Sequence, residues 1–180
     1  MADVSVRPAG PADVEEVARI QVATWQHGYA SILPAAVLEL VTVDNARAAW
    51  SQAITAPPTP HHRVLVAQEQ HHLVGFTALA PADDLQPDDP DPDTTVAIGP
   101  ILVEPRWARR GHGSRLMAAA VDLARSDGMT RAVCWIPEAD TVSREFLVGA
   151  GWAADGLVRA LDTGAGELRE IRLHVSLHAG

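Results

Sequence analysis

The order of local patterns along this chain predicts an α/β fold built on one mixed sheet. Three observations carry that prediction. Segments alternating with period two are interleaved with helix-patterned segments, in the order strand, helices, strand pair, strand, helix, strand, helix, strand pair. The chain has 180 residues, of which 47% are hydrophobic, enough for one domain over 1–180 with a real core and too apolar for global disorder. Finally, the apolar run at 101–103 passes through a glycine-containing turn into a strong helix, as strand–turn–helix units of layered α/β proteins do. No internal repeat is visible.

Val4 to Pro8 alternates like a first strand. Gly10, Pro11 and Asp13 then open a helix whose face carries Val14, Val17, Ala18 and Trp25, with Gln21 as the exception. Pro34 suits the first turn of a short helix through Leu40. A third helix is expected from Asp44 to Ile54, ended by Pro57, Pro58 and Pro60. Arg63–Ala67 and Leu73–Leu79 read as two strands joined by a tight polar turn. Pro81 to Asp93 is a loop by composition, with six aspartates. Thr95 to Val103 reads as a fourth strand, and Gly99-Pro100 should kink it because proline has no N–H for the ladder. A helix over Ser114–Arg125 closes at Gly128. Then come a fifth strand at Arg131–Ile136, a helix at Thr141–Val148, and two last strands at Gly156–Leu161 and Leu168–Leu177.

Composition narrows function. The net charge is −9, which argues against a nucleic-acid partner or an anionic membrane surface. All fourteen basic residues are arginine, so a phosphate loop that needs lysine, Schiff-base chemistry and a lysine base are excluded. The single cysteine, Cys134, cannot form an internal disulfide, and no cysteine-based zinc pattern is possible. The histidine pairs His61-His62 and His71-His72 lack acidic or thiol partners at ligand spacing, so no metal site is expected. No basic-then-apolar leader opens the sequence, and no apolar run reaches the ~18 residues that span a bilayer. A cytoplasmic protein is expected.

The chemistry concentrates in Ile101–Leu116. Four arginines and no acid lie between 106 and 115, on a chain that sums to −13 outside them. Amides at a helix N-terminus, with glycines to admit a close approach, suit an anion site; the other reading is a tight strand–helix turn whose arginines are merely solvated. A third glycine of the dinucleotide fingerprint is missing, so that fingerprint is excluded.

Val103-x-Pro105 with Arg109-Arg110-Gly111-His112-Gly113 and Leu116 resembles the acyl-CoA pyrophosphate loop of the GNAT superfamily of N-acetyltransferases. Asp140-x-x-Ser143-x-x-Phe146-Leu147-x-x-x-Gly151-Trp152 is similar to that family's Asn-x-x-Ala-x-x-Phe-Tyr-x-x-x-Gly-Phe. Trp25-x-x-x-Tyr29-x-x-x-Leu33-Pro34 matches an arrangement common in one bacterial branch. The resemblance implies a GNAT-like sheet of about seven strands, splayed between the fourth and fifth. It implies acetyl-CoA as donor, with Ile101, Leu102 and Val103 pairing its pantetheine arm. Arg109, Arg110, Gly111, His112, Gly113 and Ser114 would hold the pyrophosphate, and Asp140 and Ser143 would lie by the sulfur. Trp25 and Tyr29 would line a pocket for a small-molecule or peptide amine, and a homodimer is compatible with it. Tyr29 and Ser143 are the candidate catalytic hydroxyls.

Three departures stand out: Ala108 where the family has Gln or Arg, Asp140 for asparagine, and Leu147 for the tyrosine that serves many members as general acid. Leu147 favours an alternative, an acyl-CoA-binding sensor with little turnover. A nucleotide-binding module is the third reading. The aspartate loop is either a solvated turn or a lure for a cationic amine.

Overall fold

The computed structural model describes residues 4–164 and 166–178. Its sheet contains β1 (Val4–Pro8), β2 (Arg63–Glu69), β3 (His72–Pro81), β4 (Thr95–Ile98), β5 (Leu102–Val103), β6 (Arg131–Pro137), β7 (Ala153–Asp162) and β8 (Glu167–Ser176). The order is β1-β2-β3-β4-β6-β8-β7, with β5 paired to β3 off that path. Neighbours are antiparallel except β4 and β6, which run parallel.

The helices are α1 (Val14–Gly28), α2 (Ala35–Leu40), α3 (Val43–Thr55), α4 (His112–Ser126) and α5 (Thr141–Gly149). Helix α1 lays Val17 and Ile20 against Val64, Val66, Phe76 and Leu102 on one face of the sheet. On the other face, Leu116, Met117 and Ala120 of α4 and Leu147 of α5 pack on Leu65, Val96, Ala132 and Cys134. Burying each of the large aliphatic side chains contributes ~1.5–3 kcal/mol, so the two apolar stripes hold the layers. The polar exception in α1 has a partner: Trp50 Nε1 donates to Gln21 Oε1 at 2.6 Å, which ties α3 to α1.

The sheet has eight strands where about seven were expected. Thr95–Val103 is two strands, because the chain leaves β4 after Ile98 and Pro100 has no donor with which to continue the ladder. The sheet opens where the break occurs. Parallel pairing of β4 with β6 ends at Ala97 opposite Val133, and from Cys134 onward β6 pairs with β8 alone. Short β5 rejoins β3 through Gly75 opposite Val103 and Phe76 opposite Leu102. The expected splay between fourth and fifth strands is therefore present, as a cleft between β5 and the upper half of β6. Helix α4 starts two residues earlier than expected, and β7 starts at Ala153, with an irregularity between Ala154 and Val158 where Gly156 has φ 87°.

Two of the loop's six aspartates, Asp84 and Asp89, are drawn into ion pairs, while Asp83, Asp88, Asp91 and Asp93 are exposed. Asp89 is buried against Arg172 and Arg131; Arg172 Nη1 donates to its Oδ2 at 2.7 Å. Asp155 completes this four-charge cluster, accepting from Arg172 Nε at 2.7 Å. Asp84 takes Arg159 Nη1 at 2.7 Å, and that guanidinium lies 4.4 Å from the Trp135 ring centre. The loop straps the face of β6 and β8.

Candidate active site

The β5–α4 junction builds the first half of the site. After Val103 the chain makes a one-turn 3-10 helix at Pro105–Trp107, and then two residues turn left-handed, Arg109 at φ 63° and Gly111 at φ 82°. Gly111 caps α4. The first helical bond there runs from Arg115 N–H to the Gly111 carbonyl at 3.1 Å. The amides of His112, Gly113 and Ser114 precede it and have no helical acceptor, so they bring partial positive charge to the helix start. A groove of ≈ 370 Å³ lies over these residues, walled by Ile101, Val103, Arg109, Ser143 and Phe146. An elongated anion with an apolar arm fits such a groove.

The charged side chains of the junction are more committed than the sequence implied. Arg110 pairs with Glu69 at 3.1 Å and lies 4.8 Å from the Trp107 ring centre. Arg115 folds back so that Nη1 donates to the Arg110 carbonyl at 3.0 Å, and Arg106 pairs with Glu104 at 3.0 Å. The His112 ring turns inward, 1% exposed, with Nε2 2.9 Å from Glu69 Oε2. His112 offers the groove its amide and not its imidazole, which meets neither solvent nor the groove. Its ring braces the loop on the end of β2.

The second half gathers at the N-terminus of α5, whose Ser143 lines the cleft. Tyr29, at the C-terminus of α1, donates its hydroxyl proton to Asp140 Oδ2 at 2.9 Å. Asp140 caps α5, its Oδ1 accepting from the Ser143 amide at 3.0 Å. The Ser143 hydroxyl also interacts with the Tyr29 hydroxyl. Burial first, then the Asp140 charge, raises the Tyr29 pKa far above its ordinary value, so the phenol stays protonated. Ser143 lines both the groove and the narrow cleft bounded by Pro100, Cys134, Ile136 and Leu147. Trp25 meets the Tyr29 ring edge-on at 5.8 Å, and its buried Nε1 has no partner.

Two side chains near the cleft are disqualified. Complete burial pushes the Cys134 thiol up to about 12, so it is no nucleophile. Glu104 is gripped by Arg19, with two contacts of 3.1 Å, and by Arg106, which together hold it below the usual carboxylate range despite its burial.

One functional position escaped the sequence reading. Gly75 faces β5 so closely that a Cβ there would lie 2.6 Å from the Leu102 carbonyl oxygen. A glycine inside a strand does signal close backbone approach, but not which strand approaches.

An open mixed sheet, a splayed parallel strand pair and an anion-ready helix terminus beside the gap define a fold with room for an extended, phosphate-bearing ligand at the strand ends. Residues 42–152 match the model of the acetyltransferase (GNAT) family, and the chain belongs to that family. No curated protein matches by sequence. Among solved structures, the paia N-acetyltransferase of Thermoplasma acidophilum in complex with coenzyme A superposes with a TM-score of 0.77 at 14% identity, over 97% of this chain and 99% of that one. The yncA protein of Salmonella typhimurium, solved with its cofactor acetyl-CoA, gives 0.72 at 19% identity, over 98% and 95%. A GCN5-related N-acetyltransferase of Rhodopseudomonas palustris gives 0.70 at 23% identity, over 98% and 97%. Among the described residues, no helix is long and apolar enough to cross a membrane.

Proposed function

We propose that this chain, acting as one domain, transfers the acetyl group of acetyl-CoA to an amine by direct attack in a ternary complex. The observation that carries the reading is the shared wall of the groove at the α4 terminus and the cleft between β5 and β6: Ile101, Ser143 and Phe146 line both. A diphosphate at the amides of Gly111–Ser114 and a thioester at the head of the cleft then belong to one extended donor.

Roles follow from geometry. The edge of β5 away from β3 has no strand partner among the described residues, so Ile101 to Val103 can pair with the pantetheine amides. Arg109 is the arginine left to approach the diphosphate. Donors aimed at the thioester carbonyl oxygen stabilise the charge that develops there when the amine adds. Thiols have pKa values near ~8.5, so the sulfur leaves readily. Trp25 and Tyr29 would wall the acceptor side.

Buried Leu147 favours a second reading, a coenzyme sensor with little turnover, because it puts no hydroxyl at the cleft wall. Both readings require acetyl-CoA binding. At a hundredfold excess over Kd, acetyl-CoA should stabilise the fold by ~2.7 kcal/mol, a Tm rise of roughly 5–11 °C, while ATP should give much less. Gly111→Val should abolish that rise while the protein still folds. Its left-handed φ costs about 1–2 kcal/mol, and the atom its Cβ would meet, Arg115 Nη1 at 2.9 Å, can swing aside. Equal shifts by acetyl-CoA and ATP, or an unchanged shift in the variant, would remove the loop from the account.

A further inference from the structure

Asp140 is a carboxylate without a counter-charge. It is 7% exposed, and among the described residues no arginine or histidine forms an ion pair with it, although every other buried acid of the chain has one. Its two oxygens meet only neutral donors, the Ser143 amide and the Tyr29 hydroxyl. Buried charges are ordinarily paired. Capping α5 needs an acceptor and no charge, and asparagine caps as well as aspartate. The charge therefore calls for another explanation.

Tyr29 is the only tyrosine of the chain, and its proton points at that carboxylate. With the Ser143 hydroxyl beside it, the phenol oxygen keeps one lone pair for a further donor. Because burial and the Asp140 charge oppose ionisation of Tyr29, it can accept a proton only while giving up its own. Other acids near the cleft are engaged: Glu104 by Arg19 and Arg106, Glu170 by Arg159 at 2.7 Å, and Glu138 by Arg169 at 2.9 Å. Leu147, one helical turn after Ser143, supplies no proton donor.

We infer that Tyr29 and Asp140 form a two-way proton shuttle, in which Asp140 is the general base for the incoming amine and Tyr29 the hydroxyl that touches the reacting atoms. This rests on the acetyl-transfer reading above. The amine enters neutral, its ammonium proton already released to solvent; as its nitrogen bonds to the thioester carbon, an N–H proton passes to the Tyr29 oxygen and the tyrosyl proton passes to Asp140 Oδ2. As the C–S bond breaks, the same path runs backwards, and the thiolate takes the proton from Tyr29, which recovers one from Asp140. The amide and the free thiol result, no proton is gained or lost, and neither group needs an outside acid. The N-terminus of α5 stabilises the carboxylate between turnovers.

The test is a double-mutant cycle with Asp140→Asn and Tyr29→Phe, read by thiol release from acetyl-CoA with spermidine, glycinamide and benzylamine as acceptors. Asp140→Asn keeps size and capping acceptor; Tyr29→Phe keeps the ring. Each single variant should lose ~10²–10⁴-fold in kcat. The double variant should lose no more than either single one, because the two groups act as one unit. The Tm rise with acetyl-CoA should stay within a degree or two of the parent, a result that a general loss of structure would not leave intact. If Asp140→Asn fails to fold, Tyr29→Phe still decides: kcat within about threefold of the parent overturns the shuttle. Equally, losses that multiply in the double variant overturn it. A parent inactive with every amine overturns the transfer reading, and the shuttle with it; an active parent matched by active variants overturns the shuttle alone.

Discussion

Replacing Gly75 by alanine tests whether β5 is the edge that holds the donor. The added Cβ would lie 2.6 Å from the Leu102 oxygen, 3.0 Å from Val103 Cγ2 and 3.2 Å from Val103 Cα. Two of these are backbone atoms, which cannot rotate away. Ordinary contact begins at 3.4 Å, so β5 must retreat by about 0.8 Å at Leu102. It is fastened to β3 by two residue pairs and by the Glu104 amide on the Val74 carbonyl at 2.9 Å. Overpacking of this kind costs ~1–3 kcal/mol, which in a chain of this size lowers Tm by roughly 2–12 °C. The free edge of β5 moves with it. If that edge pairs with the pantetheine, losing its geometry should weaken acetyl-CoA at least about tenfold, or 1.4 kcal/mol, and cut the ligand-induced Tm rise by roughly 3–5 °C. Differential scanning calorimetry with and without acetyl-CoA reads both effects. An unchanged ligand-induced rise on top of a lowered Tm would refute the role given to β5; an unchanged Tm would refute the close contact itself.

Three further outcomes are expected. Asp89→Asn should cost about 3–5 kcal/mol at neutral pH by leaving Arg172 and Arg131 undercompensated, read by urea denaturation. Arg172 holds the Asp89 pKa well below the ordinary carboxylate value, so its stabilisation is complete above about pH 4 and fades as pH falls towards the lowered pKa; the variant should lack that acid-dependent loss on circular dichroism. Exposed Asp83 and Asp88, changed together to asparagine, should leave KM and its salt dependence within about twofold of the parent, because the loop serves to strap the sheet; a salt-dependent rise in KM would restore electrostatic steering. Leu147→Tyr should change kcat by less than about tenfold if Tyr29 delivers the proton as proposed; a hundredfold rise would mean that the natural protein lacks an acid.

The helices and the α4 and α5 motifs were legible because period, caps and glycines are local. Pro100 announced a break in the fourth strand, yet nothing local shows that the chain beyond it joins β3 to make an eighth strand. The partners that define the site are remote in sequence. Tyr29 meets Asp140 across 111 positions, and His112 meets Glu69 across 43. No periodicity encodes those meetings; they depend on where α1 ends over the sheet and on the register of β2. The loop composition was only partly legible for the same reason: Asp83 and Asp88 are exposed, whereas Asp89 faces Arg172, 83 positions away. The run of aspartates carries no mark of which one turns inward.

The most direct measurement is mass spectrometry of spermidine, glycinamide and benzylamine after incubation with the protein and acetyl-CoA, with free thiol followed in parallel. At least one amine should gain one acetyl group, matched mole for mole by thiol and absent without the protein. Acetyl-CoA that stabilises the fold while every amine stays unmodified would contradict it and leave the sensor reading in its place.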